Sequence, residues 1–146
     1  MDDSTVVIAG AARTAMGGMN GALSGMSGVQ LGAEAIRAAL ARSGVAPEAI
    51  DEVIMGCVLP AGLKQGPARQ AAIAAGIPES AGATTINKLC GSGMQALMFA
   101  HDQLKAGTNS IMVAGGMESM SNAPHMLLGA RQGIRLGHAE LRDHMF

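Results

Sequence analysis

Four short strand-like runs, separated by segments that read as helices, constrain the fold of this chain more than any other feature. They lie at residues 5–9 (Thr-Val-Val-Ile-Ala), 52–59, 83–86 and 110–116 (Ser-Ile-Met-Val-Ala-Gly-Gly). The first, second and fourth of these runs have the pattern of strands buried on both faces, while Ala83-Thr84-Thr85-Ile86 reads as a short β-like run. Helix signals fill the intervals. Ser27-x-x-Gln30 reads as a capping box, and the helix after it carries Leu31, Ile36, Ala39 and Leu40 and stops before Gly44. Pro67 suits the first position of a helix over 68–75, with Gly76 ending it. A third helix, 94–105, places Met94, Leu97, Met98, His101 and Leu104 on one face and stops at Gly107. Strand and helix in alternation predict an α/β layered domain with crossover helices.

The core of such a domain has unusual material to work with. Among 146 residues there are two Phe, no Trp or Tyr, 12 Met and 21 Gly, so close backbone approach with thioethers filling the gaps is expected. At 49% hydrophobic and 14% charged, the chain reads as an ordered globular one. A net charge of −1 and the missing aromatics give nucleic acid no reason to bind. No apolar run approaches the ~18 residues of a membrane span, so no membrane partner is expected. The opening Met1-Asp2-Asp3 lacks the basic start of a secretory signal. Two cysteines make neither a disulfide framework nor a metal cluster, and a cytoplasmic location is the simple expectation. After Gly116 the pattern changes: residues 117–146 hold Pro124, three His and three Arg with no clear strand. A domain boundary is therefore expected near residue 120, dividing 1–120 from 121–146.

The segment richest in chemistry is Asn87-Lys88-Leu89-Cys90-Gly91-Ser92-Gly93. It places Cys90 where a β-like run passes into a helix, and unpaired N–H groups at a helix start favour a thiolate. That makes Cys90 a candidate nucleophile, against the ordinary alternative of a small buried hydrophobe. Cys57, inside an apolar run, reads as core packing. Lys88 is either a charge that favours the Cys90 thiolate or, more ordinarily, a solvated lysine. His101 reads as a hydrogen-bonded core or interface histidine, and the carboxylate of Glu118 as structural. Arg131, Arg135, His138 and Arg142 would share one face if their segment were helical, meeting phosphates, an acidic surface, or simply solvent. Glycines at 17, 18, 21, 115 and 116 fit no nucleotide-binding loop.

Four segments together resemble the thiolase family of acetyl-CoA acetyltransferases and 3-ketoacyl-CoA thiolases. They are Ala12-Arg13-Thr14, Gly66-Pro67-Ala68-Arg69-Gln70-Ala71, the Cys90 segment, and Ala114-Gly115-Gly116-Met117-Glu118-Ser119-Met120-Ser121-Asn122-Ala123-Pro124. They occur in family order along the chain. The resemblance implies a thiolase-type N-terminal domain, a mixed sheet covered by helices, followed by the start of the loop domain. It implies reversible Claisen condensation of acyl-CoA, with Cys90 taking the acyl group as a thioester and its backbone N–H serving the oxyanion hole. Coenzyme A thioesters and CoA would be substrates, with no further cofactor and no metal. Full-length relatives pair as homodimers, often doubled to tetramers.

The resemblance also implies groups that this sequence lacks: a Gly-His-Pro histidine, an Asn that helps hold a water, and a Cys-Gly-Gly cysteine. Gly137-His138-Ala139 lacks the proline. The expectation is an N-terminal portion carrying the nucleophile without its base, inactive alone, exposing an apolar surface or completed by a C-terminal polypeptide. Two other readings stay open: the N-terminal half of another cysteine condensing enzyme such as a ketoacyl synthase, and a non-catalytic assembly or lipid-binding subunit.

Overall fold

In the computed structural model the described residues are 5–146. Helix α1 spans Gly28–Ser43, β1 Glu52–Gly56, α2 Pro67–Ala74, β2 Gly82–Ile86, α3 Ser92–Lys105, β3 Met112–Gly116, β4 His125–Leu127 and β5 Leu141–Asp143. Local chemistry sets the helix ends. Gln30 N donates to Ser27 Oγ at 3.2 Å while Ser27 N donates to Gln30 Oε1 at 2.8 Å, completing the capping box. Gly44 closes α1 at φ 69°, a left-handed conformation that glycine adopts at least cost. Pro67 opens α2 as expected, and Ala68 N donates to Thr85 Oγ1 at 2.9 Å, tying α2 to β2.

Strands β2, β1 and β3 form a parallel sheet in that order. The chain reaches β2 through α2, then crosses back past β1 to β3 through α3. Right-handed crossovers in opposite directions put the two helices on opposite faces. Packing agrees with this. Val53, Met55 and Cys57 join Ala33, Ile36 and Leu40 of α1 and Ala68, Ala71 and Ala72 of α2 in one core. Ile54, also buried, alternates to the face that α3 covers. At the N-terminal end of the sheet, Asp51 Oδ2 accepts from Ser110 N at 2.6 Å and Ile111 N at 3.0 Å. These two bonds hold its carboxyl below the usual aspartate range.

Several expectations are corrected. Residues 5–9 form no strand, and Val7 and Ile8 are 70% and 78% exposed. Immediately after it the chain packs against α1: Arg42 Nη1 donates to Ala11 O at 2.8 Å, and a Cβ on Gly10 would lie 2.8 Å from Ala39 O. An apolar run becomes a strand only beside another strand, and none lies beside this one among the described residues. The second run is shorter than expected, its strand ending at Gly56. The tail, expected to lack strands, pairs β4 with β5 antiparallel, Met126 opposite Arg142. Nor does the tail form the helix that would gather Arg131, Arg135, His138 and Arg142. From residue 131 to 142 the only helical structure is the end of a single 3-10 turn, Ala130–Gln132, so that shared face does not exist.

On α3 the buried residues are Ser92, Ala96 and Ala100, so the face carrying the methionines is turned away from the sheet. Met94, Leu97, Met98 and Phe99 are exposed, Met94 by 71%, and Leu104 is half-buried. His101 is exposed too, 3.3 Å from the Asp102 carboxylate, and takes no part in the core. Backbone proximity explains which face is buried. A Cβ built on Gly56 would lie 2.6 Å from Ser92 Cβ and 2.8 Å from Gly93 N, so only the smallest residues fit between α3 and the sheet.

Candidate active site

The C-terminal ends of the three strands lie level, with Gly56 opposite both Ile86 and Gly116. From this edge β2 runs into the Cys90 turn and α3 begins. Carboxyl ends of parallel strands, where crossover connections part, are where open α/β sheets place ligands. Cys90 sits here, exposed, immediately before Gly91, the residue that caps α3.

The turn is held by its own polar atoms. Leu89 N donates to Asn87 Oδ1 at 2.9 Å, and Lys88 N donates to Ser92 Oγ at 2.8 Å. Ser92 Oγ in turn donates to Leu89 O at 2.5 Å. Gly91 N donates to Lys88 O at 3.1 Å and Ser92 N to Leu89 O at 3.0 Å. Leu89 is thereby held at φ 50°, a left-handed conformation costing roughly 1 kcal/mol or more for such a residue. Of the consecutive N–H groups from 88 to 92, only that of Cys90 lacks an acceptor in hydrogen-bonding geometry among the described residues. Lys88 Nζ donates to Gln95 Oε1 at 2.7 Å, an engagement with the helix flank that the sequence did not suggest.

Neighbouring loops brace the turn. Asn87 Nδ2 donates to Val58 O at 3.3 Å. The stretch after β1 is itself fixed by Glu118, whose Oε2 accepts from Val58 N at 2.9 Å and Oε1 from Leu59 N at 3.0 Å. Glu118 thus has the structural role expected of it. The Cys57 thiol, 1% exposed, donates to Glu118 Oε1 at 3.6 Å. Burial first, then the adjacent carboxylate, push that thiol up to about 11, so it stays protonated and inert at neutral pH. Cys57 is core, as its sequence context indicates.

Other residues of the matched segments also tie loops together. Arg69 donates to Ala81 O at 2.6 Å and Glu79 O at 2.7 Å, while Gln70 Nε2 donates to Leu63 O at 2.6 Å and Gln65 O at 2.7 Å. The sequence reading passed over Asn87, Ser92 and Gly56 as individual contributors. A usable signal existed for Asn87, because an Asn two residues before a strained position is the pattern of an Asx turn. No group of three or more His, Cys, Asp or Glu side chains among the described residues is arranged to hold a metal ion. No helix there is long and apolar enough to cross a membrane.

Comparison with known proteins agrees with this fold. The family description "Thiolase, N-terminal domain" matches residues 6–146. An acetyl-CoA acetyltransferase of Cupriavidus necator is 56% identical over 140 residues, covering 96% of this chain and 36% of the relative. Acetyl-CoA acetyltransferase 2 of Arabidopsis thaliana is 54% identical over the same length, with 96% and 35% covered. The crystal structure of the Acat5 thiolase from Ascaris suum in complex with coenzyme A superposes with a TM-score of 0.90 at 40% identity, covering 95% of this chain and 36% of that one. The chain thus spans about a third of the length of the curated relatives it matches. By its sequence and by its fold, it belongs to the thiolase family, within that family's N-terminal domain.

Proposed function

We propose that this chain carries the nucleophile of an acyl-CoA C-acyltransferase, with acetyl-CoA as the acyl donor. The observation that carries the reading is the exposed Cys90 thiol at the sheet's C-terminal edge, beside its own unengaged N–H. The Cys90 thiolate adds to the thioester carbonyl, and the oxyanion that develops is met by the Cys90 N–H, a type of contact worth about 3 kcal/mol. The C–S bond to CoA then breaks, CoA leaves as a thiolate that takes up a proton, and the acyl group stays on Cys90. In the second half the acyl group passes to the α-carbon of another acyl-CoA, which has lost a proton, or returns to CoA.

Both halves need a base, and neither Gly-His-Pro nor Cys-Gly-Gly occurs in these 146 residues. The proposal therefore includes a further thiolase segment or polypeptide that supplies them, with little turnover in its absence. Homodimeric or tetrameric assembly, the division near residue 120 and a cytoplasmic location belong to the same proposal.

The test is intact-mass analysis after incubation with acetyl-CoA, comparing the protein with Cys90→Ala, alone and beside a polypeptide bearing the two missing motifs. The expected result is a single acetyl adduct that disappears in Cys90→Ala, with turnover only when that polypeptide is present. An adduct on another residue, or none in either setting, would sink the reading.

A further inference from the structure

We infer that Asn87 is a positioning residue for the acylation of Cys90, holding the left-handed Leu89 so that the Cys90 N–H stays free to meet the acyl oxygen. This rests on the functional reading above and extends it to a residue that touches no substrate atom. The backbone at 88–92 forms a closed set of bonds. Lys88 N and Leu89 O are both satisfied by the Ser92 hydroxyl, Gly91 N and Ser92 N turn back onto Lys88 O and Leu89 O, and Leu89 N is taken by Asn87 Oδ1.

If Leu89 relaxed to negative φ, the peptide planes on both sides of it would rotate. The Cys90 N–H belongs to the plane that follows Leu89, so its direction depends directly on that torsion. Asn87 supplies the acceptor that rewards the unusual φ, and its amide is anchored through Val58 O to the loop that Glu118 holds. Asn87 is itself exposed and outside the core, so its replacement leaves the packing of the domain in place.

The experiment compares two reactions of the same thiol in the wild type, Asn87→Ala and Asn87→Asp. Acetylation by acetyl-CoA requires the N–H to meet an oxyanion. Iodoacetamide alkylates sulfur without forming one. The readout is the ratio of the two rates at Cys90, which cancels changes in thiol access or ionisation. The ratio is expected to fall about tenfold in Asn87→Ala, as for a donor displaced from its target. It is expected to fall clearly less in Asn87→Asp, which keeps the acceptor for Leu89 N but loses the donor to Val58 O. A ratio unchanged in Asn87→Ala, or lost equally in Asn87→Asp, would overturn the inference while leaving Cys90 as nucleophile. Wild-type protein that is alkylated but never acetylated would instead overturn the functional reading, and this inference with it.

Discussion

At the N-terminal end of the sheet the Asp51 carboxylate accepts the N–H groups of Ser110 and Ile111, and at the C-terminal end Glu118 accepts those of Val58 and Leu59. Each carboxylate fixes two successive amides, and each joins segments about 60 residues apart in the chain. Their surroundings differ. Asp51 faces solvent and holds only backbone. Glu118 also receives the buried Cys57 thiol, and the loop it fixes carries the Asn87 anchor of the Cys90 turn. One device therefore staples the sheet at one end and braces a reactive turn at the other. The same edge separates two cysteines: Cys57 held as an inert thiol, Cys90 left exposed.

The sharpest way to break the comparison is Glu118→Ala. Two amides and a thiol lose a charged acceptor, so unfolding free energy should drop by about 3 kcal/mol, with slower Cys90 acylation. Thermal unfolding and adduct formation check both effects, and a stability loss with unchanged acylation would reduce Glu118 to a staple like Asp51.

Gly56→Ala comes next. Its Cβ would meet Ser92 and Gly93 backbone atoms at 2.7 and 2.8 Å, forcing α3 away from the sheet. Overpacking of this kind costs about 2 kcal/mol, measurable by chemical denaturation.

Asp51→Asn should have a smaller effect and leave acylation of Cys90 unaltered, since only the remote end of the sheet loses a charged acceptor. Because the folded-state pKa of Asp51 is lowered, its contribution is present above the ordinary aspartate range and fades as pH falls through the folded value. Acid titration of stability should therefore show a shallower low-pH decline in Asp51→Asn.

The smallest effect belongs to Cys57, whose folded-state value of about 11 lies above the unfolded thiol range. The folded chain keeps a proton that the unfolded chain gives up, so stability is full below the unfolded value and falls as pH rises toward 11. Cys57→Ala should flatten that alkaline decline, read from denaturation midpoints between neutral and alkaline pH.

Where local chemistry alone decides, the sequence sufficed. The Ser27–Gln30 box, Gly44 and Pro67 depend on neighbours within a few residues and appear at their expected places; β1, β2 and β3 fall on the expected runs, but only β1 is buried, and β3, expected to be buried, is half-buried with Gly116 exposed. The exposed cysteine before α3 was equally legible, because its position follows from the order of strand, turn and helix.

Other features depended on what each segment meets across space. The buried face of α3 is its Ser92-Ala96-Ala100 edge rather than its methionine stripe, because Gly56, Gly93 and Gly116 bring helix and sheet too close for long side chains. Residues 5–9 have every local mark of a strand but no strand partner among the described residues. The identity of the reactive segment was thus written in the chain. Its geometry, with Leu89 held left-handed and the Cys90 N–H left without an acceptor among the described residues, was decided by Asn87, Ser92, Val58 and Glu118 converging on one edge, because hydrogen bonds select a backbone torsion only after the fold has brought donor and acceptor together.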